Sequence, residues 1–120
     1  MAKILIVDDS NSMRQMINFT LKSAGHEITE AVDGMAGLVK AKTAKFDLVI
    51  TDINMPNMTG IEFTRQLRTQ PDYKFTPILM LTTEVSVEKK QEGKAAGATG
   101  WIVKPFKPED LLATVGKVIK

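Results

Sequence analysis

The sequence contains no cysteine, and only 6% of its residues are aromatic. Without cysteine the chain can form neither a disulfide framework nor a thiolate metal site, and this composition fits the reducing cytosol. Long apolar runs are also missing, because the opening segment MAKILIVDDS has only a short apolar stretch before its acidic pair. We therefore expect neither a signal peptide nor membrane insertion, and we predict a cytoplasmic protein.

The chain also lacks a stretch of one charge sign. Its 120 residues include 16 basic and 14 acidic ones, the net charge is +2, and the lysines and arginines are scattered. Domains that bind nucleic acid usually show a basic stripe, so we expect no nucleic-acid partner. The length suits one domain spanning residues 1–120, and the 43% of hydrophobic residues is ordinary for a globular protein.

What the sequence does have is an acidic residue at the end of a strand-like run, in the segment FDLVITDINMPNMTG at 46–60. Residues 48–51 lack polar alternation and are mostly β-branched, which predicts a strand buried on both faces of a parallel sheet. Asp52 follows this run, at the carboxyl end of the strand, where open α/β sheets bind ligands. This segment alone leaves two interpretations open, a ligand-binding carboxylate or an ordinary cap of a turn.

A second acidic strand end favours the ligand-binding interpretation. The amino-terminal segment KILIVDDS carries the adjacent carboxylates Asp8 and Asp9 directly after another apolar run. If the two strands are neighbours, three carboxylates share one crevice, and that much like charge requires a cation or a proton. Mg²⁺ prefers oxygen ligands and often uses one or two carboxylates plus a phosphate, so we predict Mg²⁺ as the cofactor.

Strand and helix patterns alternate along the rest of the chain. The predicted strands lie at 4–7, 26–32, 48–52, 77–81 and 100–103. Ser10 or Asn11 would cap the first helix, Asp33 the second, and Gly60 opens the third, while a weak helical stretch ends near Ala96. This alternation predicts an α/β fold, a five-stranded parallel sheet covered on both faces by five helices.

Two of the helices carry apolar residues that we expect on a single face. In the second helix these are Met35, Leu38 and Val39. In the last helix they are Leu111, Leu112, Val115, Val118 and Ile119. Such spacing indicates amphipathic helices.

The distinctive polar residues then fall on one edge of the sheet. Asp8 and Asp9 end the first strand, Asp52 ends the third, Thr82 the fourth and Lys104 the fifth. Two acids for a metal, one acceptor acid, a hydroxyl and an amine suit a phosphoryl group. We predict that Asp52 attacks to form an aspartyl phosphate whose oxygens are bound by Mg²⁺, Thr82 and Lys104.

Four separated motifs carry a family resemblance. The segments IVDDS, TDINMPNMTG, MLTTE and IVKPF, in this order and spacing, are similar to those of the receiver domain of two-component response regulators. The resemblance covers the whole chain, and it is strongest to the stand-alone receivers of chemotaxis, which have no effector domain. It implies a doubly wound, flavodoxin-like fold with strand order 2-1-3-4-5.

The resemblance also implies roles for the site residues. Asp52 would be the phosphoacceptor, Asp9 and Asp52 would bind Mg²⁺ together with the backbone carbonyl of Asn54, and Asp8 would act through ordered water. Thr82 and Lys104 would contact the phosphoryl oxygens, and the Lys104–Pro105 peptide would be cis. Asn54 and Glu84 would flank the path of the water that removes the phosphoryl group, so we expect them to tune dephosphorylation.

The implied function is a single-domain response regulator rather than an enzyme. A chemotaxis-type sensor histidine kinase would donate the phosphoryl group, the target would be the flagellar motor switch or another protein, and a phosphatase would be a further partner of this monomer. A receiver of another phosphorelay would look similar. A Mg²⁺-dependent phosphohydrolase would usually have an acid where Asn54 stands, and a nucleotide-binding module would need a glycine-rich loop after the first strand.

Two residues depart from the usual pattern of the family. Thr83 stands where a smaller residue is common, so we expect narrower access to the phosphoryl group. Trp101 stands at the switch position, which is usually Tyr or Phe. We expect Thr82 to move toward the phosphoryl oxygens and Trp101 to take the vacated space, shifting the weakly packed helix after the fourth strand, strand five and the last helix.

Overall fold

The computed structural model describes residues 2–83 and 87–119 of the chain. Within these ranges the chain alternates five strands with five α-helices and one short 3₁₀ turn at Pro71–Tyr73. Their bounds in chain order are β1 Lys3–Val7, α1 Asn11–Ser23, β2 Glu27–Ala31, α2 Gly34–Thr43, β3 Leu48–Asp52, α3 Gly60–Leu67, β4 Ile78–Thr82, α4 Val87–Ala96, β5 Gly100–Val103 and α5 Pro108–Val118. The strands form one parallel sheet in the order β2-β1-β3-β4-β5, which confirms the predicted doubly wound α/β fold.

The core lies on both faces of this sheet because successive side chains of a strand point to opposite sides. From β1, Ile4 and Ile6 pack in the cluster that includes Leu111 of α5. Leu5 and Val7 pack in the cluster on the other face. All five residues of β3 are buried, so the absence of polar alternation at 48–51 reflects a strand covered on both sides.

Side-chain caps set where three helices begin. Ser10, rather than Asn11, caps α1 by accepting from the backbone N of Met13. Asp33 caps α2 as predicted. Thr59 caps α3 and accepts from the N of Glu62, so Gly60 is the first residue inside that helix. These caps satisfy backbone N–H groups that a helix leaves without intrahelical partners.

The apolar faces predicted for two helices differ from the buried ones. In α2 the side chains of Met35 and Val39 are 58% and 60% exposed, and the sheet is covered instead by small residues such as Gly37. A Cβ atom at position 37 would lie 2.9 Å from Cε1 of Phe63, so α2 packs too closely for large side chains there. In α5, Leu112 is exposed whereas Leu111 is fully buried.

The loops at the amino ends of the strands, which we call the amino edge, are joined by two side chains. The Tyr73 hydroxyl lies 2.7 Å from the carbonyl oxygens of both Ala41 and Ala44 and accepts from the N of Phe46. The Arg68 guanidinium donates to three carbonyl oxygens, those of Tyr73, Thr76 and Gly97. The bonds from Tyr73 to Ala41 and from Arg68 to Gly97 connect segments far apart in sequence, and together these bonds stabilise the edge of the sheet opposite the predicted site.

The structure also bears on membrane association. None of the helices within 2–83 and 87–119 combines the length and apolar character needed to cross a membrane.

Candidate functional site

The predicted acidic residues converge at the carboxyl ends of the strands, which we call the carboxyl edge. Because β1 pairs with β3 so that Val7 lies beside Thr51, the next residues, Asp8 and Asp52, leave neighbouring strands together. One carboxylate oxygen from each of Asp8, Asp9 and Asp52 lies within 4.8 Å of the others. The structure therefore brings the three acids into one cluster.

The three carboxylates differ in burial. Asp8 is fully buried, Asp52 is 7% exposed and Asp9 is exposed. Oδ1 of Asp8 accepts from the N of Ser10 at 2.8 Å, but the buried Oδ2 has no hydrogen-bond partner among the described residues. Burial raises the pKa of the Asp8 carboxyl above its ordinary value, the Ser10 bond opposes this, and the Asp52 charge raises the pKa further.

Lys104 supplies positive charge to this cluster. Its Nζ atom lies 3.1 Å from Oδ1 of Asp52 and 3.7 Å from Oδ2 of Asp8. The backbone N of Lys104 donates to the carbonyl of Thr82, and the Lys104–Pro105 peptide is cis, as the resemblance implies. The Lys104 amine therefore lies close enough to Asp52 to contact a group bound to that carboxylate.

Three of the other residues singled out from the sequence lie at the end of β4 or in the loop after β3. Thr82 is buried at the end of β4, and Thr83 after it is exposed. Asn54 is exposed in the loop after β3. Glu84, predicted to tune dephosphorylation, lies outside the described residues.

Gly60 fixes the loop that follows Asp52. Its N donates to the carbonyl of Ile53 at 2.8 Å. A Cβ atom at position 60 would lie 2.0 Å from the backbone O of Asp52, which no rearrangement of side chains could relieve. The sequence marks Gly60 only as the start of a helix, whereas the close approach to Asp52 depends on how the chain folds back.

Trp101 lies on β5 beside Met80 of β4 and is half-buried. Its indole Nε1 is buried without an acceptor in the described part of the chain. A Cβ atom at Gly93 would lie 3.1 Å from Sδ of Met80 and 3.3 Å from Nε1 of Trp101, so the indole already packs against α4. Any movement of Trp101 starts from this packed position.

Arg14 is a residue near the site that the sequence analysis missed. Its guanidinium is largely buried and donates to the backbone O of Asp8 at 2.6 Å. The residue directly follows Met13 in α1, and from the sequence alone this arginine would be taken for one of the scattered surface charges. Its ion-pair partner, Glu30, lies on β2, so a local sequence pattern does not show that this arginine is buried and paired.

The donors at the carboxyl edge fit a hard divalent cation. The cluster offers carboxylate oxygens only, and it includes a buried Asp8 oxygen that lacks a hydrogen bond. Mg²⁺ is bound by such oxygen ligands and usually keeps several waters, which the exposed Asp9 side of the cluster would allow. Lys104 alone faces the three acids, since the nearby Arg14 is paired with Glu30, so the described residues leave an excess of negative charge that a divalent cation would offset.

Comparisons with known proteins agree with this geometry. Residues 4–116 match the response regulator receiver domain family. The chain is 40% identical over 119 residues to the chemotaxis protein CheY-3 of Vibrio cholerae, covering 98% of this chain and 92% of that protein. The solved structure of Vibrio cholerae CheY4 is 62% identical, with a TM-score of 0.97 and 99% of both chains covered.

A more distant solved structure is also similar. It is the receiver domain of a sensor histidine kinase from Pseudomonas aeruginosa PAO1, described with a magnesium ion coordinated in its active site cleft. It is 26% identical, has a TM-score of 0.90, and the alignment covers 98% of this chain and 96% of that one.

Proposed function

We propose a function for this chain from the premise that it belongs to the response regulator receiver domain family and closely resembles the chemotaxis regulators of the CheY type. The chain takes a phosphoryl group from a sensor histidine kinase onto Asp52 and thereby changes its affinity for a target protein. The observation that carries this proposal is the 3.1 Å contact between Lys104 and Asp52 beside two further carboxylates.

The chemistry assigned to this chain is an in-line displacement. The described hydrogen bonds to Asp52, from the N of Ile53 and from Lys104, both reach Oδ1. Oδ2 of Asp52 attacks the phosphorus of the donor, the P–N bond of the phosphohistidine breaks, and its electron pair returns to the imidazole. Lys104 then pairs with an oxygen of the transferred group, and Thr82 donates its hydroxyl hydrogen to another.

Asp9, Asp52 and the backbone carbonyl of Asn54 would hold Mg²⁺, with Asp8 acting through water. When bound, the ion neutralises charge that develops on the phosphoryl oxygens. The acidic cluster supports this assignment, as does its buried Asp8 oxygen, which accepts no hydrogen bond among the described residues. The magnesium ion described for the Pseudomonas aeruginosa receiver domain supports it as well.

The output of this switch is a protein contact. By similarity to the chemotaxis proteins, the target is the flagellar motor switch and a phosphatase ends the signal. Asn54 and Glu84 would tune the rate of phosphoryl loss. The surface that changes is built from α4, β5 and α5, where Trp101 packs against Gly93 and little apolar side chain holds α4 in place.

The experiment is phosphorylation by acetyl phosphate with Mg²⁺, followed by intact-mass measurement. We expect one phosphoryl group on the wild type and none on Asp52→Asn. Asp47→Asn is the matched control because its carboxylate lies at the amino edge, where it accepts from the N of Lys3. Equal phosphorylation of Asp52→Asn and the wild type would overturn the assignment, and continuous turnover of a phosphate ester would indicate a phosphohydrolase instead.

A further inference from the structure

Arg14 is a buried cation next to the acidic cluster, and the chemistry proposed above gives it no task. Its side chain is only 11% exposed, although α1 has an exposed face that could carry it. A buried guanidinium is destabilising unless its donors are paired. The hydrogen-bond partners of Arg14 therefore indicate the role of this residue.

The donors of Arg14 join three segments. Nη1 donates to the backbone O of Asp8 at 2.6 Å, and Nε donates to Oε1 of Glu30 at 3.1 Å. Nη2 donates to Oδ1 of Asn11 at 3.1 Å. Glu30 is itself held through its other oxygen by Asn18 at 2.6 Å, so the guanidinium has a fixed position between α1, β1 and β2.

The carbonyl that Arg14 binds belongs to the peptide unit between Asp8 and Asp9. A peptide unit is planar, so a hydrogen bond to this oxygen limits how the plane between the two acidic residues can rotate, and with it the backbone positions from which their side chains leave. The N of Asp8 is held separately, by the carbonyl of Ala31 at 3.2 Å. Arg14 thus adds a second restraint to the backbone of the acidic pair without touching either carboxylate in the described contacts.

We propose that Arg14 is a positioning residue for divalent-cation binding, an inference that rests on the proposed function. It holds the Asp8–Asp9 peptide so that both carboxylates face the common centre with Asp52. Residues that orient metal ligands in this way typically change metal affinity by about 10-fold to 100-fold when replaced.

Arg68 provides a matched control. It too uses a partly buried guanidinium to bind backbone carbonyls, but those of Tyr73, Thr76 and Gly97 at the amino edge. Loss of either arginine should lower the free energy of unfolding. Only loss of Arg14 should alter the acidic cluster.

The test titrates Mg²⁺ alone into the folded variants by calorimetry, with urea unfolding measured in parallel. We expect Arg14→Lys and Arg14→Gln to bind Mg²⁺ about tenfold more weakly or worse. Neither side chain can donate all three of the hydrogen bonds that the planar guanidinium makes. Arg68→Lys should unfold at lower urea but keep the wild-type affinity. The affinity of Arg14→Lys separates geometry from charge, since lysine keeps the charge.

The outcomes are distinguishable. Wild-type affinity in the Arg14 variants, or an equal loss in Arg68→Lys, would overturn the inference and leave Arg14 a purely structural residue. No Mg²⁺ binding by the wild type would overturn the metal site of the proposed function, and this inference with it. If both Arg14 variants fail to fold, Glu30→Ala, which removes the anchor of Nε, takes their place. Unchanged Mg²⁺ affinity in Glu30→Ala would then overturn the proposal.

Discussion

The two edges of the sheet each contain an arginine that binds backbone carbonyls, yet they differ in what they leave unpaired. At the amino edge, the Tyr73 hydroxyl and the Arg68 guanidinium both meet carbonyl oxygens at ordinary hydrogen-bond distances. At the carboxyl edge, like charges are gathered and a buried Asp8 oxygen has no hydrogen bond within the described ranges. The amino edge is arranged for stability, whereas the carboxyl edge holds unfavourable electrostatics that a ligand can relieve.

The largest loss of stability should come from adding a side chain at Gly60. Gly60→Ala would place a methyl group 2.0 Å from the backbone O of Asp52, so the loop must move. We expect the free energy of unfolding to fall by about 3 kcal/mol or more, together with loss of phosphoryl acceptance. Urea unfolding and intact-mass measurement would check both effects.

Gly116→Ala in α5 is the control for this substitution. Apart from its chain neighbours and the backbone of α5 itself, no atom of the described residues lies within 4 Å of a Cβ there. Alanine also favours a helix interior, so stability should rise by about 0.5–1 kcal/mol. If the two substitutions had similar effects, the close approach at Asp52 would not be what requires glycine.

The next effect breaks the amino edge alone. Tyr73→Phe removes the hydroxyl that binds the carbonyls of Ala41 and Ala44 and accepts from Phe46, leaving buried backbone groups unpaired. We expect a loss of about 1–3 kcal/mol in the free energy of unfolding, with unchanged Mg²⁺ affinity. A large change in Mg²⁺ affinity would contradict the separation of the two edges.

A smaller effect, an increase in the free energy of unfolding, should follow from removing one buried negative charge at the carboxyl edge. Because burial raises the folded-state pKa of Asp8, the folded protein binds more protons than the unfolded chain between the two pKa values. The Asp8 contribution to the free energy of unfolding therefore falls as pH rises from the unfolded value through the raised folded value. Asp8→Asn cannot ionise at this position and so avoids this loss of stability. Without metal, the variant should therefore have a higher free energy of unfolding than the wild type at neutral pH.

Urea unfolding across pH without metal measures this difference, which should shrink toward acidic pH. Adding Mg²⁺ should stabilise the wild type more than Asp8→Asn. The exposed Asp47→Asn serves as the control. A neutral-pH stability of Asp8→Asn below that of the wild type would indicate that the Asp8 carboxylate is stabilising in the metal-free protein.

The smallest expected effect is a fluorescence change, which tests whether binding at the carboxyl edge alters the packing of Trp101 on β5. Beryllofluoride with Mg²⁺ mimics an aspartyl phosphate, and we expect it to change the emission and quenching of Trp101, the single tryptophan. Thr82→Ala should still bind the mimic but lose most of this change, because the hydroxyl that would move is gone. An unaltered Trp101 signal with the mimic bound would exclude Trp101 from the switch.

The alternation of strands and helices could be predicted because each local pattern agrees with the fold. The edge shared by Asp8, Asp52 and Lys104 follows from that order, since parallel strands end on one side. The buried face of α2 could not be predicted by counting large apolar residues, because the helix approaches the sheet through Gly37. Close packing selected small side chains there and left Met35 outside.

The residues missed at both edges share another physical cause. Arg14 and Tyr73 both act through backbone carbonyls, that of Asp8 six residues away for Arg14 and that of Ala41 in a distant segment for Tyr73. Any residue can supply a carbonyl, so no side-chain motif marks the partner. The pairing of Lys104 with two acids was easier to predict from the sequence, because all three side chains are charged. Side-chain chemistry is visible in a sequence, whereas backbone recognition becomes visible only in the fold.

The close packing of Gly93 against Trp101 has a consequence for how this protein can change by mutation. The two positions form one steric unit, so the effect of a substitution at one depends on the residue at the other. Alanine at 93 would press on the indole and on Met80, but a smaller aromatic ring at 101 would make room for it. An evolutionary path from Trp101 to Tyr or Phe is therefore open while Gly93 stays. The reverse path, from Tyr or Phe to Trp, causes the least crowding when position 93 is already glycine.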